Sequence, residues 1–267
     1  MSNLRKYTLI TGATSGIGYE LAAIFAQHGH HLIIVARTAS DLADTAAEFS
    51  DMYEVEVVPI VKDLFSPNAA QELYDEISEK LLEVNILVNN AGQGLYGKFV
   101  DTDLCRELDI IQLNICAYVS LTKLFLRDML RSKDGRILNV ASIAGKMPGP
   151  YQAVYHGTKA FVHSFTEAVR TEIADTGITI TSLLPGATDT DFFNKAEMED
   201  SKILETELAD PADVAKAGYT ALMNGDDMFI YGLKNKAQVL SSNIIPDHVV
   251  AERVLKQQEP QHRSGKL

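Results

Sequence analysis

The chain has 267 residues, of which 46% are hydrophobic, and a formal net charge of −12 at pH 7. This length allows one large domain or two small ones, and the composition suits a globular protein with a full core. The strong negative charge argues against nucleic acid or an anionic membrane as the main partner.

Two further features predict a cytoplasmic protein. No apolar run approaches the length needed to span a bilayer, and residues 1–6 lead into a strand without a signal-peptide core. Cys105 and Cys116 fall on one predicted helix about 16 Å apart, which is too far for a disulfide. Two reduced thiols are typical of a cytosolic protein.

The first strand and the first helix enclose a glycine-rich turn. Lys6–Ile10 is a short apolar strand, the next residues from Thr11 read Thr-Gly-Ala-Thr-Ser-Gly-Ile-Gly, and an amphipathic helix follows. Gly12 permits a tight turn, Gly16 lets the backbone approach a pyrophosphate, and Gly18 lets the helix pack close to the strand. The helix N-terminus would face the phosphates, so the pattern predicts a dinucleotide site.

The end of the second strand bears on the choice of cofactor. His31–Ala36 is a buried strand, and Arg37 and Thr38 follow it where NAD-binding folds place an acidic residue. An arginine at this point can hold the ribose 2′-phosphate of NADP with a fork of donors. The prediction of NADP(H) over NAD(H) rests mainly on Arg37, with Thr38 as a second polar group. The histidines just before this strand lack a set of partner ligands, and we predict no metal site.

The third and fourth predicted strands, Val55–Val61 and Asn85–Val88, end in residues that suit the same crevice. Asp63 follows the third strand, where we expect contact with the adenine of the cofactor. The sequence Asn-Asn-Ala-Gly at 89–92 follows the fourth strand. Small and amide residues there suit a crevice in which the backbone approaches a ligand closely.

A long helix is predicted over Asp103–Arg131, and its stretch Ile110–Leu126 is apolar on nearly every face. A helix that is apolar all round must be buried all round, so one side should lie on the sheet and another against a partner subunit. Asn114 lies inside this helix although asparagine is a poor helix former, which is a mild indication of a functional role.

The sequence Tyr-His-Gly-Thr-Lys at 155–159 follows a fifth strand, Arg136–Val140, on a helix predicted to continue to about Asp175. Positions four residues apart share one helix face, so the Tyr155 phenol and the Lys159 ammonium are neighbours. A fixed positive charge lowers the pKa of a phenol, which is about 10 in water. The pair is therefore a candidate general acid/base.

The remaining chain contributes a sixth strand, Ile178–Leu184, which ends at Pro-Gly-Ala-Thr-Asp-Thr. The segment at about 188–208 is mixed apolar and charged, and it is either a lid over a substrate or a pair of surface helices. We expect a terminal helix at Pro246–Gln257 and a frayed tail at 258–267.

Strands alternate with helices throughout, so we predict a single domain over residues 1–257, an α/β fold with one doubly wound parallel sheet. The other predicted elements are helices at Asp41–Ser50, Pro67–Leu82 and Pro211–Met223 and a last strand at Met228–Tyr231.

Taken together, these residues resemble the short-chain dehydrogenase/reductase family, from about Lys6 to Tyr231. The motifs that carry the resemblance are Thr-Gly-x-x-x-Gly-Ile-Gly at 11–18, Asn-Asn-Ala-Gly at 89–92, Tyr-x-x-x-Lys at 155–159, and Pro-Gly at 185–186 with Thr190 four residues beyond Gly186. The resemblance implies a Rossmann-type sheet of about seven strands in the order 3-2-1-4-5-6-7. It also implies a homodimer or homotetramer through the helices around 103–131 and 153–175.

The resemblance assigns roles to a catalytic tetrad. Ser142 would orient a substrate carbonyl, Tyr155 would act as general acid, and Lys159 would lower the tyrosine pKa and hold the nicotinamide ribose. Asn114 would position a water that links Lys159 to solvent. The implied cofactor-binding residues are Gly12, Thr14, Ser15, Gly16, Ile17, Gly18, Arg37, Thr38, Asp63, Leu64, Asn90, Ala91, Gly92, Tyr155, Lys159, Pro185, Gly186, Thr188 and Thr190.

The implied activity is NADP(H)-dependent transfer of a hydride to or from the carbonyl or secondary alcohol of a small molecule. The stretches 93–99, 143–151 and 191–208 would line the substrate pocket, and their Met147, Tyr151, Phe192 and Phe193 predict a hydrophobic substrate. A 3-oxoacyl-thioester or hydroxysteroid reductase is an alternative within the enzymes. A non-catalytic NADPH-binding regulator or scaffold is a further alternative; it predicts a damaged tetrad, whereas here the tetrad is complete.

Overall fold

The computed structural model describes residues 5–260 of the chain. Parallel strands form one seven-stranded sheet in the spatial order β3-β2-β1-β4-β5-β6-β7, which confirms the predicted fold class and strand order. The strands are β1 Lys6–Thr11, β2 His31–Ala36, β3 Val57–Val61, β4 Glu83–Asn89, β5 Arg136–Val140, β6 Thr179–Leu184 and β7 Met228–Ile230.

Helices cover both faces of this sheet and extend beyond its last strand. The α-helices are α1 Gly16–Gln27, α2 Ala39–Tyr53, α3 Ala69–Glu79, α4 Leu104–Ile111, α5 Ala117–Ser132, α6 Ala153–Glu172, α7 Phe192–Lys195, α8 Pro211–Asn224, α9 Leu233–Ser242 and α10 Asp247–Gln258. Single 3₁₀ turns lie at Ile143–Lys146 and Lys202–Glu205.

The inner strands are nearly continuous apolar runs and are buried on both faces, whereas the edge strands β3 and β7 are partly exposed. Successive side chains of a strand point to opposite faces. In β2, Ile33 and Val35 belong to the core layer that holds Leu73 of α3 and Phe125 of α5. The intervening residues Leu32 and Ile34 belong to the opposite layer, with Leu21 and Phe25 of α1 and Leu42 of α2.

The direction of strand order reverses at β1, which pairs with β2 on one side and β4 on the other. Thr11 lies opposite Val35 in β2, and Ile10 lies opposite Val88 in β4. The chain segments that leave β1 and β4 therefore emerge side by side at the carboxyl edge. In open α/β sheets this switch point is where ligands bind.

The predicted helix at Asp103–Arg131 is interrupted. Between α4 and α5 the chain forms a π-helical turn at Gln112–Cys116, and the fully buried Asn114 lies within it. Single π turns inside α-helices are frequent at functional sites. The poor fit of asparagine to an α-helix therefore marks a real change of backbone geometry.

The prediction that no apolar run approaches the length needed to span a bilayer is wrong. The helical stretch Leu104–Ser132 is long and apolar enough by length and composition, with 44% of its most apolar window buried inside the protein. Leu121, Phe125 and Met129 of this stretch pack in the core with the sheet. The stretch is therefore a core helix of this fold.

Several predicted boundaries were wrong for local backbone reasons. β3 begins at Val57 instead of Val55, because Glu54 ends α2 in a left-handed conformation at φ 55°. α3 ends at Glu79, before Leu81 at φ 55°, so the predicted helix at Pro67–Leu82 is too long at both ends. Similarly, α6 ends at Glu172, short of the predicted Asp175.

The C-terminal part differs most from the prediction. α9 was missed because Val239 is its one buried residue, which leaves no helical apolar pattern to recognise. The frayed tail predicted at 258–267 begins too early, because Gln258 is buried and Pro260 forms a β-bridge with Ser201. Residues 261–267 lie outside the described residues.

Candidate active site

A cavity of about 520 Å³ opens at the carboxyl ends of the strands, at the switch point between β1 and β4. Its wall contains all of the residues predicted to bind the cofactor, from Gly12 to Thr190. Three of the four predicted catalytic residues also line it: Ser142, Tyr155 and Lys159. The fold thus brings segments that are far apart in the sequence to one wall.

The glycine turn packs too closely to admit side chains. Gly12 has φ 67° and donates its N–H to Val35 O at 2.8 Å. A Cβ on Gly18 would stand 2.1 Å from Gly12 O and 2.3 Å from Asn90 Nδ2, which is impossible without displacement. The turn therefore requires glycine at 18 because α1 lies directly against it.

The N-terminus of α1 faces the cavity with its backbone donors available. Ser15, the N-cap residue, makes no side-chain cap within residues 5–260, and the first turn of α1 carries no acidic residue. Ser15, Gly16 and Ile17 all line the cavity. Free N–H groups at a helix N-terminus bind phosphate, so the turn fits the pyrophosphate of a dinucleotide.

Asn90 ties the end of β4 to the glycine turn in addition to lining the cavity. Its Nδ2 donates to Thr11 O at 2.9 Å and to Gly12 O at 3.1 Å, and its backbone N–H donates to Thr11 Oγ1 at 3.0 Å. These bonds tie the end of β4 to the glycine turn. The Asn90 side chain supports the turn, while the residue still lines the cavity.

Arg37 stands at the rim of the cavity, just beyond β2. Its guanidinium carbon lies 5.0 Å from the centre of the Phe65 ring, a cation–π contact that holds the side chain beside the wall. Lys62, which the sequence analysis missed, also lines this end. The rule that ligands bind beyond the carboxyl ends of strands would have found it, because Lys62 directly follows β3.

Tyr155 and Lys159 lie one turn apart on α6, as their spacing predicts. The Lys159 Nζ lies 5.9 Å from the centre of the Tyr155 ring and 5.4 Å from that of Tyr118. Lys159 is 3% exposed and donates to Val140 O at 2.8 Å. The ammonium is therefore held in an apolar, aromatic surrounding.

Burial sets the pKa values of this pair. It raises the pKa of Tyr155 to about 12, against a smaller opposing effect of the Ser142 hydroxyl, and it lowers the pKa of Lys159 to about 7. The expectation that lysine lowers the tyrosine pKa is therefore wrong for the chain alone, because desolvation disfavours both charged forms. The phenol stays protonated at neutral pH, while the lysine exchanges protons there.

Ser142 follows β5 and lines the cavity beside Tyr155. Its hydroxyl accepts from Ala144 N at 3.1 Å and donates to Pro185 O at 3.3 Å. These bonds fix the side chain at the start of the 3₁₀ turn. To hold a substrate carbonyl oxygen, the single O–H of Ser142 turns from Pro185 O to that oxygen, while the protonated Tyr155 phenol beside it delivers a proton.

Asn114 lies behind the wall rather than in it. Its Nδ2 donates to Gln93 O at 2.9 Å and to Thr158 Oγ1 at 3.0 Å, and its Oδ1 accepts from Gln93 N at 3.1 Å. The side chain thus joins the π turn to α6 and to the loop after β4. This geometry shows a supporting role and does not test the predicted water.

The segment 188–208 contributes several residues to the cavity wall, among them Phe192, Phe193 and Met198. Phe193 and Met198 are buried in one cluster with the partly buried Tyr96 and Phe192. Phe192 packs on Tyr155, with ring centroids 5.0 Å apart. Tyr151, which was predicted to line the substrate pocket, is absent from the described wall and stacks on Tyr96 with centroids 5.3 Å apart.

The sequence analysis also missed two buried amides in the wall, Gln152 and Gln258. Both are 4% exposed. No signal in the sequence could have found them, because glutamine is common on surfaces and Gln258 was placed in a tail. Their position depends on how the C-terminal helix returns to the cavity.

Comparison with known proteins agrees with this geometry. The sequence model of the protein family described as short chain dehydrogenase matches residues 6–201. An uncharacterised oxidoreductase of Staphylococcus saprophyticus is 32% identical over 217 residues, which cover 81% of this chain and 91% of that protein. Both matches span enough of the chain to show the family.

Two further proteins bear on chemistry. A very-long-chain 3-oxoacyl-CoA reductase of Laccaria bicolor is 38% identical over 193 residues, covering 68% of this chain and 56% of that protein, so the chain spans little more than half of its length. A solved short-chain dehydrogenase from Sphingobium yanoikuyae in complex with NADPH has a TM-score of 0.80 and 27% identity, covering 99% of each chain.

Proposed function

The chain belongs to the short-chain dehydrogenase family, and from this membership we propose that it is an NADP(H)-dependent oxidoreductase of carbonyls and secondary alcohols. One observation carries the proposal above all. Ser142, Tyr155 and Lys159 share a wall of the cavity into which the glycine turn also opens. A phosphate-binding turn and a proton donor in one cavity are what a nicotinamide-dependent reductase requires.

The residues of the chain have separable tasks in the proposed reaction. The bound nicotinamide would supply or take up a hydride. The glycine turn and the N-terminus of α1 would hold its pyrophosphate, and the Ser142 hydroxyl would orient the carbonyl oxygen of the substrate. Tyr155 would protonate that oxygen as general acid in reduction and take the proton back in oxidation.

Lys159 would assist this proton transfer through its effect on the protonation of Tyr155. With a pKa of about 7 it can hold or release a proton at neutral pH, and its Nζ lies 5.9 Å from the centre of the Tyr155 ring. A protonated lysine favours the phenolate that remains after proton transfer. Lys159 would therefore help to return Tyr155 to its protonated state between turnovers.

Preference for NADP(H) over NAD(H) is the finer part of the proposal. Arg37, held by Phe65 at the rim, can pair with a 2′-phosphate. Lys62 lines the same cavity, where it also forms ion pairs with Glu72 and Glu76. The related structure from Sphingobium yanoikuyae holds NADPH, which agrees with this assignment.

We expect Arg37→Asp to shift the preference from NADPH toward NADH. The variant loses charge-assisted hydrogen bonds to the 2′-phosphate and repels it, which should weaken NADPH binding about 10- to 100-fold. NADH lacks that phosphate and should bind as well or better. Fluorescence titration of each cofactor measures both constants.

Lys216→Asp is the control for the same change of charge, because Lys216 is exposed on α8 and does not line the cavity. It should leave the ratio of NADPH to NADH affinity unchanged. An unaltered ratio in Arg37→Asp would refute the phosphate-binding role of Arg37.

For the substrate we propose a hydrophobic small molecule. Met147, Phe192, Phe193 and Met198 line the part of the cavity near Tyr155. The relatives named as 3-oxoacyl-CoA reductases favour one second candidate, reduction of 3-oxoacyl thioesters. Oxidation of NADPH by a panel of ketones, quinones and acyl thioesters would distinguish these classes.

We further propose a homodimer or homotetramer through α4, α5 and α6, in a cytoplasmic location. Leu104 and Leu108 are 65% and 54% exposed on α4, and Phe161 is 41% exposed on the neighbouring α6. Exposed apolar groups on adjacent helices favour an interface. The cytoplasmic assignment is supported by two free cysteines, Cys105 and Cys116.

Sedimentation at micromolar concentration should show an oligomer that Leu108→Glu weakens, because the new charge would be buried in the interface. Met52→Glu is the control, since Met52 is 61% exposed on α2, outside this surface. A monomeric wild-type protein would contradict the proposed interface.

A further inference from the structure

The end of α10 is fastened over the cavity by its backbone. The carbonyl oxygen of Gln258 accepts hydrogen bonds from Tyr96 OH and from Ser201 Oγ, the latter at 3.3 Å. Tyr96 belongs to the loop after β4 and Ser201 to the segment 188–208. Three separate segments therefore meet at Gln258, and they do so without using its side chain.

His156 fixes the orientation of the Gln258 amide. The Nδ1 of His156 lies 2.9 Å from Met147 O, and a carbonyl can only accept, so Nδ1 carries the proton. Burial lowers the pKa of His156, so the ring is neutral and Nε2 is an acceptor. Gln258 Nε2, at 3.2 Å from that nitrogen, must be the donor.

This orientation leaves the Gln258 Oε1 as a buried acceptor with no hydrogen-bond partner among residues 5–260. The residue is 4% exposed and lines the cavity. A buried polar atom without a partner destabilises the fold, so such atoms are rare unless they have a ligand or water to bind.

Gln152 provides a matching buried donor. Its Nε2 is likewise without a partner in the described part of the chain, and the residue is 4% exposed. A Cβ on Gly94 would lie 3.0 Å from this nitrogen and 3.5 Å from Tyr155 Cδ2. The orphan donor is therefore placed beside the ring of the proposed general acid.

We propose that Gln152 and Gln258 form a polar subsite for a hydroxyl group of the substrate, separate from the carbonyl that reacts. A hydroxyl accepts one hydrogen bond and donates another, so it would satisfy Gln152 Nε2 and Gln258 Oε1 together. This inference rests on the proposed function and narrows its substrate to hydroxy ketones, or to diols in the oxidative direction.

The chemistry of the two atoms also excludes a class of substrate. A carboxylate has only acceptors and would leave Gln258 Oε1 facing an anion. A purely apolar group would leave both amide atoms unpaired, and sites with buried unpaired polar groups discriminate strongly against such analogues. The subsite should therefore prefer a neutral hydroxyl to either alternative.

Paired substrates test the subsite. Each hydroxy ketone is assayed beside its deoxy counterpart, from 4-hydroxyacetophenone against acetophenone to a 3-hydroxy-17-ketosteroid against its 3-deoxy form. In the wild-type enzyme the value of kcat/KM should be about 10- to 100-fold higher for the hydroxy member of at least one pair.

Two variants then locate the preference. Gln258→Leu and Gln152→Leu should each remove most of the hydroxy preference and leave the deoxy ketones turned over, because the backbone bonds of both residues persist. Gln71→Leu, at an exposed glutamine on α3 that does not line the cavity, should keep the wild-type ratio. The Gln152→Leu/Gln258→Leu double variant should lose no more of the hydroxy preference than either single variant, because one hydroxyl bridges both amides.

The outcomes separate this inference from the function on which it rests. Equal turnover of hydroxy and deoxy ketones by the wild type, or equal losses for both in the variants, would overturn the subsite while leaving the reductase intact. If no ketone, quinone or acyl thioester oxidises NADPH, the proposed function fails. In that case, binding of the same paired ketones to the NADPH-saturated protein, followed by calorimetry, decides whether the subsite exists.

Discussion

Tyr155→Phe should lose about 10²- to 10⁴-fold in kcat for carbonyl reduction, the range expected when a general acid is removed. The Tyr155 phenol lies in the cavity wall with Ser142. Burial raises its pKa to about 12, so it is protonated at neutral pH and can donate a proton. Phenylalanine keeps the ring that packs on Phe192. NADPH affinity should therefore stay close to that of the wild type, and steady-state kinetics with fluorescence titration measure both quantities.

Tyr118→Phe is the matched control for this substitution. Tyr118 is also buried beside Lys159, but its hydroxyl donates to Val140 O at 3.3 Å and the residue does not line the cavity. Its loss should affect stability more than kcat. Near-normal turnover in Tyr155→Phe would remove Tyr155 from the role of general acid.

Lys159→Met should abolish a large pH dependence of stability. Burial lowers the pKa of Lys159 from 10.5 to about 7, so between these values the unfolded chain binds one more proton than the folded chain. The free energy of unfolding of the wild type therefore rises with pH in this window. Below about pH 7 the buried lysine is charged, and the folded state is fully destabilised by the burial of that charge.

The difference between the two proteins isolates this effect. Between about pH 7 and about pH 9, the free energy of unfolding of the wild type should rise by about 2 kcal/mol relative to that of Lys159→Met. Denaturant unfolding at equal protein concentration measures it, with Lys216→Met as the control for an exposed lysine. Parallel curves for wild type and Lys159→Met would show that the lysine keeps an ordinary pKa. The same variant should also lose activity, since Tyr155 would have no proton relay.

The sheet was predictable because its strands are apolar runs with sharp boundaries. His31–Ala36 and Arg136–Val140 were predicted to the residue. Each buried run is preceded by a turn that contains glycine and polar residues, and this turn marks where the strand begins. The order of the strands came from motifs and not from periodicity. The pair Tyr155 and Lys159 was predictable because helical spacing alone makes them neighbours.

The properties that depend on tertiary surroundings were not predictable. The pKa of Tyr155 moves upward because burial outweighs the opposing effect of the Ser142 hydroxyl, and burial is not visible in a four-residue spacing. The π turn around Asn114 depends on bonds to Gln93 and Thr158, which come from other segments. Gln258 enters the site only because α10 folds back onto the segment 188–208.

The helix α9 was not predicted from the sequence for a different reason. Its surroundings bury Val239 and leave Leu233 and Leu240 exposed, so the apolar pattern does not identify a helix face. Gly232, with φ 85°, ends the preceding stretch and sets the direction of the helix. Such an element is fixed by the turn before it more than by its own periodicity.

The central claim is that this cavity reduces carbonyls with NADPH and with Tyr155 as proton donor. The most direct measurement is the loss of NADPH absorbance on addition of the ketone, quinone and acyl-thioester panel, in wild type and Tyr155→Phe side by side. We predict oxidation of NADPH by at least one class in the wild type and its near absence in the variant. Tight NADPH binding without oxidation by any class would contradict a reductase and favour a non-catalytic role, and equal rates in both proteins would contradict the assignment of Tyr155.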